Sequence, residues 1–139
     1  MAIPIISINY VAIIVVAIVQ MILGSLWYGA IFRKAWITLS GLNPKDMEKA
    51  KKKGMGPTYL MALIASLISA YVLAHFVRYI ATSLGEAFQL AVFIWLGFVA
   101  PMMLGVVLWE GKSTKLYLIN SGYYLVSLII SALILVAWR

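Results

Sequence analysis

The chain contains few side chains that could perform chemistry. Its 139 residues include one histidine, His75, four acidic residues spread over several segments, and no cysteine. Zinc sites are built from His, Cys and carboxylate ligands, so we expect no metal ion and no bound cofactor. The sequence also lacks a glycine-rich phosphate loop, a nucleophile elbow and a pair of carboxylates within an apolar segment. We therefore expect no catalytic residues and no enzymatic activity.

The remaining candidates are polar or helix-breaking residues inside long apolar segments. A polar group in lipid needs a partner, so these residues should face the protein interior or a contact between subunits. The candidates for lining a pocket or pore are Gln20, Tyr28, His75, Gln89, Gly97, Pro101, Glu110 and Asn120. Each has a simpler alternative: an interhelical hydrogen bond for Gln20, a hydrogen-bonded side chain rather than a proton relay for His75, and an ion pair at headgroup level for Glu110.

Four apolar segments carry these candidates. Asp, Glu, Lys and Arg are absent from 1–32, 54–77, 87–109 and 116–138, and each stretch exceeds the ~20 residues that a helix needs to cross ~30 Å of hydrocarbon. A transmembrane barrel would show alternating polarity over about ten residues, which these segments lack. The sequence therefore predicts an all-α integral membrane protein with a single transmembrane domain, 1–139. We expect an up-and-down bundle of helices at about 8–32, 57–78, 84–109 and 115–138.

The charges are concentrated in the connector 33–56, between the first two helices. Seven of the eleven Lys and Arg residues lie there, against a net charge of +7 for the chain. Basic loops remain cytoplasmic, so we expect a multi-pass protein of the cell (inner) membrane with the connector inside and both termini outside. The charge thus indicates lipid rather than nucleic acid as a partner. The residues expected to contact lipid headgroups are Arg33, Lys34, Lys49, Lys51, Lys52 and Lys53.

Local signals predict how the helices begin and end. Ser7 is a potential N-cap for the first helix, and Asn43 with Pro44 predicts a short cytoplasmic helix that ends at Gly54. Ser83, with Glu86 three residues later, fits a capping box that begins the third helix. Four tryptophans at segment ends are the expected anchors at the membrane interface. They are Trp27, Trp36, Trp109 and Trp138.

Two further features concern the packing of the helices. Pro101 cannot donate a hydrogen bond to the Gly97 carbonyl, so it predicts a kink in the third helix and a carbonyl that needs another partner. Small residues recur every fourth position in the second helix, which predicts a face that packs closely against another helix. These residues are Ala62, Ser66, Ala70 and Ala74.

A set of aromatic, glycine and asparagine residues resembles a known family. The set comprises Asn9-Tyr10, Trp27-Tyr28-Gly29 with Phe32, Trp36 and Gly41, Trp95-Leu96-Gly97-Phe98, and Asn120 with Gly122 and Tyr123. In this arrangement the chain resembles, over nearly its whole length, the domain of unknown function 1761 family of small prokaryotic membrane proteins. The resemblance implies four helices and a bacterial or archaeal membrane, and it implies no activity.

Two functions fit these observations. The first is a homo-oligomeric transporter or channel unit for a small solute or ion, with a site near Pro101 that is lined by Gln20. The second is a structural or accessory membrane protein that binds lipid or a larger membrane partner and translocates nothing. Transport predicts that Gln20 and Asn120 face a hydrated cavity, whereas the accessory function predicts a dry bundle.

Overall fold

The computed structural model describes residues 6–139, and this part of the chain is all-helical: 84% of the described residues are in helices, and none is in a strand. The helices are α1 (Tyr10–Leu26), α2 (Arg33–Ser40), α3 (Pro44–Lys53), α4 (Gly56–Ile80), α5 (Leu84–Ile94), α6 (Ala100–Met103), α7 (Gly105–Leu108) and α8 (Thr114–Ala137). Two π-helical turns, Trp27–Ile31 and Trp95–Val99, follow α1 and α5.

Four helical stretches of the described residues are long and apolar enough to cross a membrane. They are the first span, Tyr10–Ile31, the second, Gly56–Ile80, the third, Leu84–Leu108, and the fourth, Thr114–Ala137. Each contains at least the ~20 residues that a crossing requires. The prediction of an all-helical protein with four such helices is thereby confirmed.

The caps follow the sequence signals with two differences. The N-cap of α1 is Asn9, whose side-chain oxygen accepts from the amides of Val11 and Ala12, so the prediction of Ser7 was wrong. At α5, Ser83 accepts from the amide of Glu86 as predicted, while the Glu86 carboxylate accepts from the amide of Thr82 rather than from that of Ser83.

The basic connector contains two helices rather than one. The expected helix is present as α3, with the Asn43 side chain accepting from the Lys45 amide at 3.0 Å and Pro44 as its first residue. The additional helix, α2, begins directly after Phe32, where the backbone departs from helical geometry, and ends at Gly41 in the left-handed conformation (φ 72°). A left-handed residue at this position is a common way to end a helix, and glycine adopts it without steric cost.

The third span is interrupted around Pro101. The π-helical turn Trp95–Val99 comes directly before α6, and a second break at Leu104 separates α6 from α7. Proline lacks the amide that would continue the α-helical ladder, and a π-helical turn is one way to accommodate such a gap. The interruption was predicted at Pro101, whereas the π-helical turn before it was not.

The spans are joined most closely at the end that holds Asn9, which we call the Asn9 end; the opposite end, with α2 and α3, is the connector end. Hydrogen bonds pair Asn9 with Trp138, Gln20 with Ser131 and Tyr28 with Asn120, so the first and fourth spans run antiparallel. The first span also packs against the second, and the third packs mainly against the fourth.

Alanines dominate the core at the Asn9 end. Those at most 5% exposed in this cluster are Ala12, Ala70, Ala74, Ala81, Ala87, Ala91 and Ala132. Small side chains let helix backbones approach closely, which is how helices associate in lipid. The predicted small-residue face of α4 is buried at Ala70 and Ala74 but not at Ala62, so only its half toward the Asn9 end is packed.

Candidate functional site

A row of polar contacts runs along the seam between the first and fourth spans. At its centre, Gln20 is 6% exposed and donates from Nε2 to the hydroxyl of Ser131, which is fully buried, at 3.0 Å. An unpaired amide at this depth would be costly. The pair therefore joins the two helices through a buried hydrogen bond between their side chains.

The next contact along the seam involves the Gln20 backbone. The Tyr123 hydroxyl donates to the Gln20 carbonyl oxygen at 3.0 Å. This brings the Tyr123 ring against Gly24, where a Cβ atom would lie only 3.2 Å from the hydroxyl oxygen. Gly24 therefore provides the space that the tyrosine occupies.

Tryptophan and tyrosine close the seam at the connector end. Trp27 Nε1 donates to the Ile119 carbonyl at 3.0 Å, and the Tyr28 hydroxyl donates to Asn120 Oδ1 at 2.8 Å. The Tyr28 ring lies 5.1 Å from that of Trp36 and 5.4 Å from that of Tyr123, between ring centroids. These distances are typical of attractive aromatic pairs. Helix α2 is held against the fourth span through this cluster.

The third span is attached to the fourth by two similar bonds. Trp95 Nε1 donates to the Ser121 carbonyl at 2.7 Å, and the Tyr117 hydroxyl donates to the Ala100 carbonyl at 2.7 Å. The second bond gives a partner to a carbonyl beside Pro101. The Pro101 signal thus led to the right region of the helix, but the bonded carbonyl in the structure is that of Ala100 rather than Gly97.

The structure brings only some of the predicted pocket residues together. Tyr28 and Asn120 are partners, and Gln20 lies on the same seam. Gly97 and Pro101 lie on the exposed surface of the third span, away from this seam, and a Cβ at Gly97 would meet no atom within 4 Å.

The other predicted candidates lie elsewhere. His75 is half-buried, with Nδ1 2.9 Å from the Tyr71 carbonyl one turn earlier and its ring 4.6 Å from the Tyr71 ring. Gln89 and Glu110 are exposed. The eight candidates therefore do not form one pocket.

The four expected tryptophan anchors occupy two kinds of position. Trp27 and Trp36 are half-buried and make the contacts described above, whereas Trp109 is 86% exposed and Trp138 44% exposed. The six basic residues expected at lipid headgroups are all exposed, on α2 and α3. No group of three or more metal-binding side chains occurs within residues 6–139.

Two concave regions lie outside the seam. A cavity of about 340 Å³ at the Asn9 end is lined by Arg78 and Arg139, and we call it the arginine cavity. An apolar groove of about 560 Å³ runs between the second and third spans, with Phe76 and Phe98 among its walls. Neither region is lined by Gln20 or Asn120.

Sequence reasoning missed several residues that join the spans. Ser131, Trp95 and Tyr117 were not among the candidates, although each forms a contact between spans. A hydroxyl or indole inside an apolar helix indicates that a partner exists, so these residue types were the available signal. Which partner each has depends on how the helices pack.

The geometry can be compared with known proteins. A family model described as "Protein of unknown function (DUF1761)" matches residues 11–136. The chain belongs to this family. The predicted resemblance is confirmed, and the match covers all but a few residues at each end. No curated protein and no solved structure matches the chain. Membership in DUF1761 assigns no activity to the chain.

Proposed function

We propose that this chain is a non-enzymatic accessory protein of a prokaryotic cell membrane. It crosses the bilayer four times as an up-and-down bundle, with the connector that holds α2 and α3 in the cytoplasm and both termini outside. Its functional surfaces are the ones that it presents to lipid and to other membrane proteins, including further copies of itself. It translocates no solute.

The observation that carries this proposal is the pairing along the seam. The polar side chains of the first and fourth spans bond to each other, as Gln20 does to Ser131 and Tyr28 to Asn120. Among residues 6–139 no buried side-chain nitrogen or oxygen lacks a hydrogen-bond partner. A path for a polar solute needs groups that replace its hydration, and these groups are already used. The paired seam therefore favours the accessory function over transport.

The orientation is supported by charge. The connector residues Arg33, Lys34 and the lysines of α3 are exposed, where they are able to contact anionic headgroups. Each basic residue near the cytoplasmic leaflet contributes about 1 kcal/mol to the attraction. Basic segments are also the ones that are retained on the cytoplasmic side. Together these support the connector as the lipid-facing cytoplasmic surface.

The second and third spans expose large apolar side chains, and this supports a homo-oligomer. Toward the connector end, the second span exposes Tyr59, Leu60 and Met61, and the third span exposes Phe98 and Met102, each at more than half of its surface. A single thin bundle has little interior, so contacts between copies would give these side chains protein partners. The alternative is that lipid contacts these exposed side chains. Cross-linking in membranes distinguishes contacts between copies from contacts with lipid.

The proposal is tested by the hydration of the seam. Ser131→Cys places a thiol at a fully buried position, and only a thiolate in contact with water reacts readily with a charged thiol reagent. Leu84→Cys, at an exposed position beside the Ser83 cap, is the matched control. The native chain contains no cysteine, so each variant has one.

We expect Leu84→Cys to be labelled rapidly in membranes. Ser131→Cys, and a second buried variant at Ser121, should react only after unfolding in detergent. Rapid labelling of both buried positions in the folded protein would contradict the dry seam and favour a hydrated path. Flux measurements on proteoliposomes with Gln20→Leu then give a second comparison: transport predicts loss of flux, and the accessory function predicts no flux in either protein.

A further inference from the structure

The arginine cavity has the composition of a site for an amphipathic anion. It lies where the beginning of the first span meets the ends of the second and fourth, and it is lined by Arg78 and Arg139. No acidic side chain of the chain is among its lining residues. The other nine basic residues belong to the connector, the loop before α8 and the first turn of α8, so the basic charge at the Asn9 end is gathered at this cavity.

The walls of the cavity combine the two arginines with apolar surface. Ala12, Ala74, Val77 and Leu135 supply that surface, and Trp138 lies at its edge. Its volume of about 340 Å³ is at the low end of the ~300–1,000 Å³ typical of sites for small organic ligands. The cavity therefore exceeds what a single small ion requires and has a place for an apolar part.

Existing hydrogen bonds fix the shape of the cavity without using up its donors. Asn9 is occupied, because its oxygen caps α1 and its Nδ2 donates to the Trp138 carbonyl at 3.5 Å. The Arg139 guanidinium donates from one nitrogen to the Ala81 carbonyl. A guanidinium has five N–H donors in a planar fork, so Arg139 is held in place while most of its donors are available to a ligand.

We propose that the arginine cavity binds a phosphate anion, carried on a lipid headgroup or free in solution. Two guanidiniums favour phosphate because their forks match its oxygens in bidentate geometry. The apolar walls receive the glycerol and the first methylenes of a lipid. This inference deepens the proposed function, since it adds a phosphate site at the membrane surface opposite the basic connector.

The test uses the full-length protein in a non-ionic detergent and native mass spectrometry. The probes are phosphatidylglycerol, diacylglycerol with the same chains and no phosphate, and inorganic phosphate at millimolar concentration. The variants are Arg78→Gln, Arg78→Lys and the double variant Arg78→Gln/Arg139→Gln. Arg33→Gln on α2 is the matched control, because it removes an exposed arginine at the connector end.

We expect phosphatidylglycerol to bind, with an affinity lowered roughly tenfold or more by Arg78→Gln, since a charge-assisted hydrogen bond is lost. The affinity of Arg78→Lys should lie between those of the wild type and Arg78→Gln, because lysine keeps the positive charge but lacks the planar fork of N–H donors. Diacylglycerol should not bind, and Arg33→Gln should bind like the wild type. Competition by inorganic phosphate identifies free phosphate as a sufficient ligand, and its absence identifies the lipid.

Equal lipid binding by the wild type, Arg78→Gln and the double variant would overturn the proposal. Thermal unfolding without lipid checks that the variants fold, and Arg78→Gln leaves the Arg139 bond to Ala81 in place. This outcome is independent of the proposed function, which is decided by the labelling of Ser131→Cys. A dry seam with no arginine-dependent lipid binding would leave the accessory function standing and remove the phosphate site.

Discussion

The contact between Gly24 and Tyr123 gives the sharpest prediction of the packing between the first and fourth spans. In Gly24→Ala, the new methyl group would lie 3.2 Å from the Tyr123 hydroxyl oxygen, which donates to the Gln20 carbonyl at 3.0 Å. The tyrosine would have to move by a few tenths of an ångström, and this movement would strain its hydrogen bond. A matched control is Gly29→Ala, because a Cβ at Gly29 would meet no atom within 4 Å.

The expected magnitude follows from three contributions. Overpacking typically costs about 1–3 kcal/mol, and an interhelical hydrogen bond in a membrane protein contributes about 0.6 kcal/mol and at most ~1.7 kcal/mol. Alanine has up to ~1 kcal/mol better helix propensity than glycine, which offsets part of the loss in both variants. This gain is common to the two variants and cancels in their difference, so we expect Gly24→Ala to lower the free energy of unfolding by about 1–3 kcal/mol relative to Gly29→Ala.

Tyr123→Phe separates the steric effect from a general effect of substitution. Without the hydroxyl, the nearest ring atom to the new methyl group is Cζ at 3.6 Å, an ordinary van der Waals distance. The cost of Gly24→Ala should then fall toward that of Gly29→Ala, with a coupling of about 1 kcal/mol in the double-mutant cycle. The assay is reversible unfolding by sodium dodecyl sulfate in mixed micelles. An unchanged cost of Gly24→Ala in the Tyr123→Phe background would refute the described packing.

Three further substitutions test the bonds at the connector end and beside the proline. Tyr28→Phe and Asn120→Leu each remove one side of a 2.8 Å bond, so their effects on the free energy of unfolding should be non-additive by about 0.6 kcal/mol or more; additive effects would contradict the bond. Tyr117→Phe should cost about 1–3 kcal/mol, because it leaves the largely buried Ala100 carbonyl without the hydroxyl donor. The same change at the exposed Tyr59 is the control, and equal costs at the two tyrosines would argue against that assignment.

The number and the apolar character of the four membrane-length helices could be predicted from the sequence. Long stretches without charge are a direct consequence of the cost of placing ionised groups in hydrocarbon. The N-cap of α3 at Asn43 and its end at Gly54 could also be predicted, because their sequence signals are local. The cap of α1 was misassigned because Ser7 and Asn9 are both good caps, and sequence alone does not rank them.

The contacts between helices could not be predicted from the sequence. Gln20 was recognised as a residue that needs a partner, but Ser131 follows it by 111 positions and no local pattern connects the two. The expected pocket near Pro101 assumed that the proline faces the interior, whereas it is exposed in the structure. The side of a helix that faces its neighbours is poorly marked in an apolar helix, since lipid and protein interior favour similar residues.

The helix α2 and the two π-helical turns also went unpredicted. Phe32 ends the first π-helical turn with a backbone that is neither helical nor extended, and the chain then continues as α2. The α2 helix is stabilised by Trp36 on Tyr28, a tertiary contact that local propensity does not reveal. The cluster at the connector end therefore depends on residues whose types were noticed and whose arrangement was not.

The proposed function requires that four helices cross the membrane and leave the basic connector in the cytoplasm. Single cysteines at Ala50, on α3, and at Leu84, at the start of α5, test it directly, because both positions are exposed and the native chain has no cysteine. In intact cells an impermeant thiol reagent should label Leu84→Cys and leave Ala50→Cys unlabelled until the membrane is opened. Labelling of Ala50→Cys in intact cells, or of both positions from the same side, would contradict the account.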